Sequence, residues 1–271
     1  MTPKVHGLSA STPNASVPVA ERPRPPSTRS SGGPSFSQLL QAPSQVTARG
    51  TGAQRLVATR GSEAAFERWW KQIPRLEGTL YDWQSQSHNR HDRGGRTNFG
   101  ITERAFMGCA GAAGLPKTPE AFENLTPTDA KKIAKAIWRT SGAQQISDPG
   151  VATVVGDWFW GSNTGAWRGV NSVLSSMGAA VGAGAPPGPG AKLGPEAMAA
   201  LNSLPPERLV KELSEARAAE HVKIAERAPE QAVFLDGWQQ RVALMLAQAL
   251  DFDTAATADE PKLPSRLPWR A

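Results

Sequence analysis

Residues 62–78 read SEAAFERWWKQIPRLEG and residues 92–102 read DRGGRTNFGIT, and these two stretches decide the fold. In the first, Phe66, Trp69, Trp70 and Ile73 recur at i, i+3, i+4 and i+7, the spacing of one helix face. Pro74 is expected to stop that helix, and Glu77 follows within a turn. In the second, Gly94-Gly95 and the short β-prone run Thr97–Ile101 predict a loop closed by a small hairpin.

Helical signals resume downstream. Thr102 opens one segment, and Thr126 with Pro127 opens another that runs through Ile133, Ile137 and Trp138 to Gly142. Asp148-Pro149 opens a third, which carries Val151, Val154, Val155 and Trp158. A fourth follows Gly161–Gly165 and reaches Met177, where Gly178 supplies a left-handed cap. Residues 62–178 therefore read as a mainly α domain with one hairpin. Residues 179–192 are almost entirely Gly, Ala and Pro and read as a linker. In residues 193–252, Pro195–Leu204, Pro206–Arg227 and Glu230–Leu250 read as three helices of a small module, the second with Leu209, Leu213 and Ala216 on one face. Residues 253–271 read as a polar tail.

Upstream, residues 1–61 contain eight Pro, nine Ser and a single aromatic, Phe36. Such a composition buries too little apolar surface to offset the entropy of ordering, so a disordered tail is expected. Lys4, Arg22, Arg24, Arg29, Arg49, Arg55 and Arg60 face only Glu21 there, which accounts for the whole formal charge of +6. The remainder is formally neutral. The positive charge thus belongs to a tail rather than a folded face, which argues against nucleic acid as a partner. With Cys109 as the single cysteine, neither an internal disulfide nor a cysteine metal cluster can form. The uncharged run between Arg168 and Lys192 is too rich in Gly, Ala, Ser and Pro for a membrane span. No apolar run of the ~7–15 residues needed for a secretory signal follows Lys4, so no conventional signal peptide is expected.

A glycosidase needs a carboxylic acid kept protonated near neutral pH, and burial beside aromatic surface does this by disfavouring the charged form. Glu77 has Trp69, Trp70, Leu76, Tyr81 and Trp83 as sequence neighbours. Glu77-Gly78, then Asp92-Arg93-Gly94-Gly95, then Thr97-Asn98-Phe99-Gly100-Ile101-Thr102 resembles the signature of glycoside hydrolase family 108, the bacterial and phage N-acetylmuramidases of lysozyme-like fold. Asp157, Trp158 and Asn163-Thr164-Gly165 resemble the family's later segment, so the likeness covers roughly residues 64–178. Leu193-Gly194-Pro195 and Gly237-Trp238 with Arg241-Val242 are similar to the peptidoglycan-binding-type helical region that often follows this catalytic domain. Thr79 stands where the family has a second glycine and Arg93 where it has the turn proline. The loop between Glu77 and Asp92 is about six residues longer than the family's.

The resemblance implies a lysozyme-like α+β catalytic domain in which Glu77 is the general acid and no cofactor is required. It implies supporting roles for Asp92 and Thr97. Asp92 would position water or stabilise positive charge on the sugar, unless it only fixes the Gly94-Gly95 turn; Thr97 would orient the attacking water, unless it is simply a strand former. Asp157 and Asn163 would face the cleft, or instead form a buried polar residue and a helix end. Asn98 and Trp160 are expected to contact substrate, with Trp83 and Trp167 as further candidates for stacking on sugar rings. The expected partner is the peptidoglycan glycan strand, with the periplasm or cell wall as the site of action. Two deliveries stand open: export by a secretion apparatus of type III or type VI kind, with residues 1–61 as the export signal and the apparatus or an immunity protein as partner, or a phage endolysin in which residues 1–61 are a linker or phage-derived extension. Three rival readings stand: a lytic transglycosylase on the same bond, a non-catalytic peptidoglycan-binding protein, and a metal-assisted hydrolase using His88, His91 and Asp92.

Overall fold

A computed structural model describes residues 54–77, 96–182 and 192–251, the side chains of the first stretch only over residues 62–74. These residues fall within one compact unit. The tail before residue 54, the long loop with Asp92, His88, His91 and Trp83, the centre of the Gly/Ala/Pro segment and the C-terminal tail lie outside the described residues. The architecture is mainly helical with one two-stranded antiparallel hairpin.

Helix α1 spans Gln54–Glu77. It begins upstream of Ser62 because residues 54–60 contain neither Pro nor Gly, a fact hidden by the average composition of the tail. It also passes through Pro74, which was expected to end it. Proline removes one i→i−4 bond and crowds a carbonyl one turn back. In the last turn that penalty falls where little helix remains to be broken. Phe66, Trp69 and Ile73 of α1 are buried, as their spacing requires.

Strands β1 (Thr97–Asn98) and β2 (Ile101–Thr102) pair in the register Thr97↔Thr102 and Asn98↔Ile101. The two linking residues, Phe99 at φ 52° and Gly100 at φ 74°, both have positive φ, which is the twist a two-residue hairpin demands. For Phe99 that conformation costs roughly 1–2 kcal/mol. Thr102 then caps α2 (Glu103–Cys109) by accepting from the Ala105 amide at 3.1 Å. Helix α3 (Pro119–Glu123), capped by Thr118, has no counterpart among the expected elements. It is too short to show periodicity. Helix α4 (Pro127–Ser141) starts in a Thr126/Asp129 capping box and ends at Gly142, whose φ is 91°.

Helix α5 (Pro149–Gly161) is the centre of the molecule: every residue from Gly150 to Phe159 is buried. A helix apolar all round must be surrounded, and α5 packs against α1, α4, α6 (Asn163–Ser176), α8 (Pro206–Arg227) and α9 (Leu235–Leu250). Close approach is achieved through glycine: a Cβ on Gly156 would fall inside the Trp138 ring of α4. Helix α7 (Pro195–Ser203) packs on α6 and α8. One hydrophobic core therefore runs from Phe66 and Trp69 through Val151 and Val155 to Leu209, Leu213 and Leu246.

Candidate active site

Glu77 is the last residue of α1, and its side chain lies outside the described residues. On the same helix stand Trp69, buried, and Trp70, half-buried. Trp160, near the end of α5, meets both edge-on, with ring centroids 5.6 Å from Trp69 and 6.3 Å from Trp70. Trp138 and Phe66 close the cluster from behind, at 5.3 Å and 5.8 Å from Trp69. Such tilted and edge-to-face arrangements match the positive ring edge to the negative face. Trp70 and Trp160, both half-buried, are the members of this cluster that retain accessible surface.

Asp157 lies directly behind it, fully buried. Its Oδ1 accepts from the Trp69 indole Nε1 at 2.8 Å and from Arg241 Nη2 at 2.8 Å. Its Oδ2 accepts from Arg217 Nη1 at 2.6 Å and from Arg241 Nε at 3.1 Å. Burial pushes this carboxyl upward, but the Arg241 and Arg217 guanidiniums outweigh it and hold Asp157 well below the usual carboxylate range. Burial conversely pulls Arg217 down, offset in part by Asp157. Glu220 adds a second acid, accepting from Trp158 Nε1 at 3.1 Å. The cluster joins α1 and α5 to α8 and α9.

His221 borders the same group, its ring 5.3 Å from Trp238 and its Nδ1 without a partner among the described residues. Burial first, then the Arg217 and Arg241 charges, push it down to about 3, with Asp157 opposing. Its folded value thus lies below the unfolded value of about 6.5. The unfolded chain binds the extra proton, so stability is full above about pH 6.5 and declines as pH falls toward 3. Replacing His221 by Gln should flatten the fall in melting temperature across that window; an unchanged acid limb would contradict this.

Thr97 and Asn98 belong to another part of the fold. Thr97 is half-buried on β1; Asn98 is buried, its Nδ2 donating to the Phe122 carbonyl at 2.7 Å and so tying the hairpin to α3. Arg96 beside them pairs with Glu123 and stands over the Phe122 ring. Asn163 opens α6, half-buried, next to the N-cap Ser162. Asp92 lies outside the described residues. The structure thus brings Asp157 and Trp160 to the α1 tryptophans and leaves Thr97 and Asn98 in the hairpin. Arg217 was not foreseen as part of the site. Its signal was present in the sequence: it falls at i+4 from Leu213 and i+8 from Leu209, a charge on an apolar stripe that must have a buried partner.

Residues 70–163 match the family model described as Glycosyl hydrolase 108. Residues 181–243 match the one described as Predicted Peptidoglycan domain. No curated protein matches the chain. Among solved structures it is similar to one titled "Structure of Brucella abortus SagA", at 22% identity, covering 70% of this chain and 99% of that one with a TM-score of 0.49. On the two family matches, the chain carries a glycosyl hydrolase 108 segment followed by a peptidoglycan domain, and it is a glycoside hydrolase of lysozyme type.

Proposed function

We propose that the chain is an N-acetylmuramidase, cleaving the β-1,4 bond between N-acetylmuramic acid and N-acetylglucosamine in peptidoglycan, with Glu77 as general acid. The observation that supports this best is the end of α1. Position 77 follows Trp70 at i+7, the same face of a helix about 10 Å further along. The half-buried Trp70 and Trp160 form an aromatic wall about two turns before that end. Apolar walls disfavour the charged form of a carboxyl and keep a proton available near neutral pH. Flat aromatic faces also suit the apolar side of a pyranose.

In this reading Glu77 protonates the bridging oxygen, the sugar passes through an oxocarbenium-like state, and water completes hydrolysis. Asp92 and Thr97 are proposed to steady that charge and that water, and Asn98 and Asn163 to border the glycan. Asp157 takes no direct part: all its acceptor capacity is spent on Trp69 and two arginines. Residues 1–61 are proposed as an export segment for a dedicated secretion apparatus, a role tested by export of a reporter fused to them.

The reading is tested on purified peptidoglycan with chelator present. Release of soluble glycan fragments under those conditions supports it; wall binding without release would favour a binding protein, and loss of release on chelation a metal hydrolase. Trp160→Ala is expected to raise KM by roughly 5-fold, the equivalent of about 1 kcal/mol of stacking, and to lower kcat as well, since in this reading the same wall keeps the proton on Glu77. An unchanged KM would remove Trp160 from the glycan surface.

A further inference from the structure

We infer that Arg217 and Arg241, from helices of the peptidoglycan-domain segment, are positioning residues of the hydrolase, acting through Asp157 on Trp69 and so on the helix that ends in Glu77. The inference rests on the general-acid reading of Glu77. Its basis is the bond pattern around one carboxylate. Asp157 is completely buried, and it receives an indole N–H from α1, one guanidinium from α8 and another from α9.

Burying Asp157 and Arg217 and half-burying Arg241 is a poor way to gain stability, since well-packed apolar residues of the same volume often serve equally well. What such a network supplies is direction. The Arg241 fork presents Nε and Nη2 to the two oxygens of Asp157, and Arg217 fills the remaining lone pair of Oδ2. The carboxylate cannot turn, and its Oδ1 is left aimed at the Trp69 indole. Trp69 in turn meets Trp70, Trp138 and Trp160. A rotated Trp69 ring would displace the aromatic wall and the last two turns of α1 together. Helices α8 and α9 are thereby part of the machinery that orients the acid, beyond any hold they have on the wall polymer.

The test uses the full chain and measures kcat and KM on purified peptidoglycan beside thermal melting. Trp69→Phe keeps an aromatic ring, but removes the N–H that Asp157 accepts together with one ring of the buried indole. It is expected to lower kcat about 10-fold, with KM within about 2-fold and a cooperative melt, because small misplacements of a catalytic group are costly. Arg241→Lys, which keeps the charge but loses the fork, is expected to melt closer to wild type than Arg241→Gln does while recovering little of the lost kcat. A folded Trp69→Phe with wild-type kcat would overturn the inference, and it decides the matter should Arg241→Gln fail to fold. Glu77→Gln is assayed in parallel. If it is as active as wild type, the general-acid reading falls and this inference with it. If it is inactive while Trp69→Phe is fully active, only the positioning role falls.

Discussion

Glu77→Gln is expected to slow fragment release from purified peptidoglycan by about 10²–10⁴-fold, the range typical of losing a general acid. The substitution keeps size and hydrogen-bonding shape and removes the transferable proton. Because Gln keeps the size and shape of Glu at the last position of α1, melting should be unaltered. Binding to insoluble wall material should also persist, since the peptidoglycan domain at residues 181–243 is untouched. Rate loss with retained melting and retained binding is the combination that separates an acid from a structural residue. A variant that releases fragments at the wild-type rate would exclude Glu77 from the chemistry.

The second large effect is on stability. Asp157→Ala is expected to cost about 3–5 kcal/mol, measured by urea unfolding, because it leaves two guanidiniums facing each other without their carboxylate. Arg217 is the more damaged partner, being itself buried. Asp157 and His221 differ in the pH at which they act. The depressed Asp157 value means that its contribution is complete above the unfolded carboxylate value of about 3.9 and is lost only as pH falls through the folded one. Acid weakening between pH 6.5 and 4 should therefore come from His221 and not from this ion cluster. A loss below about 1 kcal/mol for Asp157→Ala would show that the cluster is solvated in solution.

Much of this arrangement was legible in the sequence wherever a local rule acts alone. Thr102, Thr126 with Pro127, and Asp148 with Pro149 each satisfy free amides at a helix start, and each cap is observed. The buried face of α1 followed from the spacing of Phe66, Trp69 and Ile73. The reading fell short where the deciding contact is distant in the chain. Asp157 could be singled out, but nothing local says that its partners are Trp69, Arg217 and Arg241, reached only when α8 and α9 fold back on α5. Asn98 presents the same problem: its bond to the Phe122 carbonyl depends on α3, whose single turn leaves no periodic trace. The limits of α1 show a different failure. Composition averaged over residues 1–61 obscured a helix-competent stretch at its end, and Pro74 was weighed as a stop without regard to how little helix remained beyond it.

Hydrolysis of the glycan by Glu77 is tested by digesting purified peptidoglycan in water enriched in oxygen-18 and identifying the released ends by mass spectrometry. The account predicts reducing-end N-acetylmuramic acid carrying the heavy oxygen, formed by wild type and absent with Glu77→Gln. Anhydro-muramic ends without label, reducing N-acetylglucosamine, or cleavage confined to the peptides would contradict it.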